Sequence, residues 1–123
     1  VQAPIRCTGS CSLDQVALPS ADTDVVFSGV QTTGAFTVSD TTGAGALHIL
    51  DADIRQVSLT RNTLGRVIFQ RVSVTSAVEM VDTVLNGAGV AMTNVTIGTT
   101  LSITGAAAEV SLRNATIKGD VLM

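Results

Sequence analysis

From Val90 to Ile117 the chain reads VAMTNVTI and then, after a gap, VSLRNATI: an eight-residue phrase that returns after 20 residues. Apolar side chains hold its first, third, sixth and eighth places. Upstream the phrase recurs as LHILDADI from Leu47 and VIFQRVSV from Val67, with weaker copies VVFSGVQT from Val25 and IRCTGSCS from Ile5. Successive starts are 20, 22, 20, 23 and 20 residues apart, and the first and third places are apolar in every copy. A second apolar pair follows eleven residues after each start, in Val16 and Leu18, Phe36 and Val38, Val78 and Met80, Leu101 and Ile103, and Val121 and Met123. Only the copy from Leu47 shifts by one, to Val57 and Leu59. Self-similarity at a fixed period marks an architecture built by stacking one unit.

Apolar residues two apart form one face of a strand. The polar step between the third and sixth places then turns the chain through a corner and returns a second short strand to the same interior. Each lap lies over its predecessor at about 4.8 Å, so every strand bonds to its copies above and below. Six laps make a prism roughly 30 Å tall. The extra residues of the second and fourth laps fall in TTGAG and LNGAG, where small residues suit a lengthened corner. LDQVALPSADTD, from Leu13 to Asp24, carries Pro19 and reads as a loop between the first two laps. Residues 1–123 thus form one domain, with an irregular first coil and loop over 1–24 and regular coils over 25–123. A β-sandwich is the alternative, because short alternating strands with turn signals also suit it.

The composition agrees with a narrow aliphatic core: there are three Phe and no Tyr or Trp among 123 residues. No apolar run reaches the roughly 18 residues a membrane span needs, so none is expected. The net charge is −3, yet Arg55, Arg61, Arg66 and Arg71 fall within one coil. Without interleaved aromatics to stack on bases, and with an acidic balance, these arginines do not point to nucleic acid. They read as solvated corner residues, and the register sets Asp51 one coil below Arg71 as a surface ion pair.

Candidate chemistry is sparse. His48, the only histidine, takes an outward place with no nucleophile beside it, so no catalytic residue is assigned. No phosphate-binding glycine loop, cofactor motif or zinc-ligand spacing is present. Asp40, Asp51, Asp53, Glu79 and Asp82 would matter if they met in a groove, as paired carboxylates do in glycoside cleavage. Ser58/Thr60 and Ser102/Thr104 approach an ordered hydroxyl column, which Val78 and Glu79 interrupt. Cys7 and Cys11 flank Thr8-Gly9-Ser10 and either close a small disulfide loop or stay as thiols; the register puts Cys7 inward and Cys11 outward. Asn94-Val95-Thr96 and Asn114-Ala115-Thr116 are N-glycosylation sequons one above the other, and asparagine is equally a turn former at such a corner.

The phrases LHILDADI, VAMTNVTI and VSLRNATI resemble the coils of right-handed parallel β-helix proteins. ADIRQ-VSLTR-NTLGR-VIFQR-VSVTS, from Ala52 to Ser76, resembles the five-residue grammar of pentapeptide-repeat proteins. The first resemblance implies an all-β, single-stranded parallel β-helix solenoid of about six coils with a period near 20 residues. The second implies a square coil and, in some members, mimicry of DNA by an acidic surface, which the arginines do not match.

The expected role is a non-catalytic scaffold or adhesion module of a secreted or cell-surface protein. A start at Val1 fits a removed secretory signal or an excised piece. A last coil running to Val121 and Met123 on inward places invites end-to-end self-association or marks a fragment of a longer solenoid. A carbohydrate or protein ligand fits the same surface. Two rivals remain, a carbohydrate-active β-helix acting as lyase or hydrolase, and a pentapeptide-repeat-like inhibitor of a nucleic-acid enzyme.

Overall fold

The structure, a computed structural model, describes residues 11–15, 17–18, 25–104 and 110–122. Strands β1 (Cys11–Asp14) and β2 (Ala17–Leu18) precede β3 (Val25–Ser28), β4 (Ala35–Ser39) and β5 (Thr42–Gly43). Next come β6 (Ala46–Ile54), β7 (Gln56–Thr60), β8 (Thr63–Val74), β9 (Val78–Val81), β10 (Val84–Ile97) and β11 (Leu101–Ile103). The last are β12 (Val110–Arg113), β13 (Thr116–Ile117) and β14 (Val121–Leu122). Every strand pairing among them is parallel, so the chain is a solenoid and not a sandwich of antiparallel layers.

The register follows the repeated phrase. Val25 pairs with Leu47, Leu47 with Val67, Val67 with Val90, and Val90 with Val110, which lays down about four turns at a period near 21 residues. Six coils were expected. Residues 5–10 of the first copy lie outside the described residues, and the last described coil is incomplete.

A coil has four sides. Its first and second sides carry the two halves of the phrase. The third forms the six-stranded sheet β1-β4-β7-β9-β11-β14, and the fourth holds the short pairings of β2, β5 and the starts of β8 and β10. The lap from Ala52 to Arg71 is the most regular, with two inward residues per side: Ala52 and Ile54, Val57 and Leu59, Asn62 and Leu64, Val67 and Phe69, all buried. This is the five-residue grammar in space. Because each side needs only two inward residues, the shaft stays narrow and large rings are scarce. Phe27 and Phe36 meet edge to face at 4.8 Å between centroids, while Phe69 is stacked between Ile49 and Met92.

Alternate corners behave differently. Between the first and second sides, and again between the third and fourth, a single residue in the left-handed region turns the chain. The other two corners absorb the variation in coil length. Gly89 pairs with Arg66 and Val84 with Thr63, so the fourth-side corner of that coil holds two residues more than the coil below, around Asn86-Gly87-Ala88. The remaining extra residue of that coil falls between Val74 and Val78. The lengthening expected wholly within LNGAG is therefore shared by two corners.

The first coil departs from expectation. Of the pair foreseen at Val16 and Leu18, Val16 lies outside the described residues and Leu18 pairs with Gly43 on the fourth side, while the backbone positions opposite Phe36 and Val38 belong to Cys11 and Leu13. Strands β1 and β2 also occupy part of the stretch read as a loop. The difference is one of lap length: Cys11 and Phe36 stand 25 residues apart, whereas Phe36 and Val57 stand 21 apart.

Candidate functional surface

The sharp corners form two columns. On the first stand Gly29, Asp51, Arg71, Asn94 and Asn114, and on the second Gln15, Asp40, Arg61 and Asp82; each has φ between 51° and 68°. Glycine, asparagine and aspartate tolerate this region, and arginine has no such preference. Both corner arginines have an aspartate one coil below. Arg61 donates through Nε to Asp40 Oδ1 at 2.9 Å and through Nη2 to Asp40 Oδ2 at 3.2 Å. Arg71 grips Asp51 in the same two-pronged way, with Nη2 to Oδ2 at 3.1 Å. The expected pair of Asp51 and Arg71 thus has a counterpart on the other corner column.

These bonds set the local electrostatics. Hydrogen bonding to Arg61 and Arg71 holds the carboxyls of Asp40 and Asp51 below the usual aspartate value, against a smaller opposing effect of desolvation. Reciprocally, Asp40 and Asp51 raise the two guanidinium groups, and Arg61 also feels Asp14 and Asp82. Asp14 Oδ1 accepts a hydrogen bond from Ser39 Oγ at 2.9 Å.

The four clustered arginines do not make a patch. Arg55, Arg61, Arg66 and Arg71 occupy the four successive corners of one lap and are all exposed, so they girdle the shaft. The five carboxylates are likewise dispersed. Asp40 and Asp82 share the second corner column with Arg61 between them, and Asp51 stands on the first. Asp53 lies outward on the second side, in register with Ser73, and Glu79 outward on the third, in register with Ser58 and Ser102. His48 is half-buried on the outer face of the first side, in register with Val26 below and Ile68 above. Among the described residues no group of three His, Cys, Asp or Glu is placed to hold a metal ion, and no helix is long and apolar enough to cross a membrane. Cys7 lies outside the described residues, and so does its link to Cys11. The backbone of Cys11, expected at an outward place, stands opposite the inward Phe36.

Sequence reasoning missed an interior polar column. Just past the second sharp corner, Thr41, Asn62, Thr83 and Thr104 recur every 21 residues, and the first three are buried. Asn62 Nδ2 donates to Val38 O at 2.9 Å, Thr83 Oγ1 to Leu59 O at 3.1 Å and Thr104 Oγ1 to Met80 O at 3.2 Å. Each side chain reaches the carbonyl that precedes the sharp corner of the coil below. That even 21-residue spacing was the available signal.

The last described coil exposes residues of columns that are sealed elsewhere. Leu112 and Val121 are 41% and 42% exposed, whereas Met92 and Leu101, their partners one coil below, are 1% and 0%. Val110 and Ile117 are partly buried against the core, and Leu122 is exposed on the outer face. No protein-family model, curated protein or solved structure matches this chain.

Proposed function

We propose that this chain is a non-catalytic structural module of an extracellular or cell-surface protein, and that it works as a rigid rod assembled coil on coil. The observation that carries this reading is the exposed inner column of the last described coil, Leu112 and Val121, lying directly over the sealed pair Met92 and Leu101. A further coil, supplied by more chain or by a second copy, buries those side chains and pairs the open strand edges of β12 and β14. Leu112 and Val121 are already more than half covered, so sealing each contributes half or less of the about 1.5–3 kcal/mol that full burial of such a side chain gives. The dispersal of Asp40, Asp51, Asp53, Glu79 and Asp82 favours this role over glycoside cleavage, which needs two carboxyls within reach of one bond. The arginine girdle favours it over mimicry of DNA, which needs a continuous acidic face.

Sedimentation velocity over a wide concentration range tests the reading. Reversible association is expected, and Leu112→Ser with Val121→Ser should weaken it without unfolding the inner coils. A folded wild-type chain that stays strictly monomeric at high concentration would count against assembly through this end.

A further inference from the structure

We propose that Asn94 and Asn114 form a paired N-glycan attachment site that the folded coil fills once, an inference that rests on the extracellular reading above. Both sequons start on a sharp corner. Asn94 and Asn114 have φ of 56° and 53°, and both are exposed. The middle residue of the first sequon, Val95, is buried and anchors the turn, while the hydroxyl residues Thr96 and Thr116 are exposed and in register with one another. Each sequon therefore presents both its essential side chains to solvent from a fixed turn.

The donor is a lipid-pyrophosphate-linked oligosaccharide. Asparagine Nδ2 forms a bond to C1 of the terminal sugar and loses one proton, the C1–O bond to pyrophosphate breaks, and the lipid pyrophosphate leaves. The two acceptors stand one coil apart, about 4.8 Å along the axis. A branched oligosaccharide is wider than that spacing. A glycan on one corner therefore crowds its neighbour, and a chain loaded at both would have to splay two glycans outward from adjacent exposed corners. Nothing comparable affects the remaining corners of this column, where Gly29, Asp51 and Arg71 offer no amide.

Secretion of the chain from a eukaryotic host, followed by intact mass before and after peptide-N-glycosidase, tests this. Folded wild-type protein should carry one glycan, distributed between the two positions. N94D and N114D should each still carry one, and the double variant none; aspartate suits the turn because Asp51 holds the same corner column two coils below Asn94. Two glycans on folded, cooperatively melting wild-type protein would overturn the exclusion, and an unmodified wild type would overturn the site. Association measured on unglycosylated protein reports separately on the rod, so the two ideas fail independently.

Discussion

Asn62 fastens one coil to the next by two bonds: its side-chain oxygen accepts from the Thr41 N–H at 2.9 Å, and its Nδ2 donates to Val38 O at 2.9 Å. With the side chain almost wholly buried, neither backbone group has water as a substitute partner. Asn62→Leu keeps the volume and deletes both bonds, leaving a buried donor and a buried acceptor, each at about 1–3 kcal/mol. Asn62→Thr should cost less, because Thr83 and Thr104 show that a hydroxyl reaches the equivalent carbonyl. Urea unfolding of the three proteins checks the order wild type, threonine, leucine; an equally stable leucine variant would refute the fastening role.

Gly98 packs against the coil below at a distance that only glycine permits. A Cβ built there would lie 1.9 Å from Thr75 O, and the Gly98 N–H donates to Val74 O at 2.8 Å. The obstacle is backbone, so it has no rotamer to escape into. Gly98→Ala should destabilise the protein by about 1–3 kcal/mol through this overpacking. Thr99→Ala, at the exposed neighbouring position, should stay within about 0.5 kcal/mol of wild type. Thermal melts of both variants decide whether the close approach is real.

Most of the architecture was legible because its cause is local and repeated. Val67, Phe69, Val72 and Val74 are inward for the same pleat-and-corner reason as Val90, Met92, Val95 and Ile97, so one phrase predicts every coil that contains it. The shift to Val57 and Leu59 was visible for a similar reason: one fewer residue at a loose corner moves the next side as a block. Leu18 was placed on the wrong side because a longer lap changes register without changing residue type, and Val16 lies outside the described residues. Thr41, Asn62 and Thr83 were hidden by their polarity, since a polar residue beside a turn ordinarily faces water. Only the carbonyls left by the sharp corner make an inward polar side chain favourable there. The surface was less legible than the core. Four arginines close in sequence read as a solvated corner, and the five-residue side length spread them over four corners.

The sharp corners make a prediction about side-chain shape. A β-branched residue is poorly accommodated in the left-handed region, whereas glycine enters it without penalty. In protein made without glycosylation, Asn94→Val should therefore cost about 1–2 kcal/mol, and Asn94→Gly should be close to neutral, as Gly29 is on the same column. Thr96→Val, outward on a strand, serves as the control for a gained apolar surface and should be near neutral. If valine at position 94 proves as stable as glycine, the corner does not hold the conformation described.

The two corner ion pairs give the fold a pH dependence with a defined sign. Hydrogen bonds from Arg61 and Arg71 hold Asp40 and Asp51 below the ordinary value of about 3.9, so the unfolded chain takes up protons before the folded one as acid is added. The stability from these pairs is thus fully present above that ordinary value and is lost as pH falls through the lower folded-state values. Asp40→Asn with Asp51→Asn keeps side chains that suit the left-handed corners and removes both charges. Its unfolding midpoint should fall less steeply than wild type below about pH 4. Near neutral pH the wild-type advantage should shrink as salt is added, because both partners of each pair are exposed and screened. Parallel midpoint curves for the two proteins across the acid range would mean that the pairs are geometric neighbours without energetic effect.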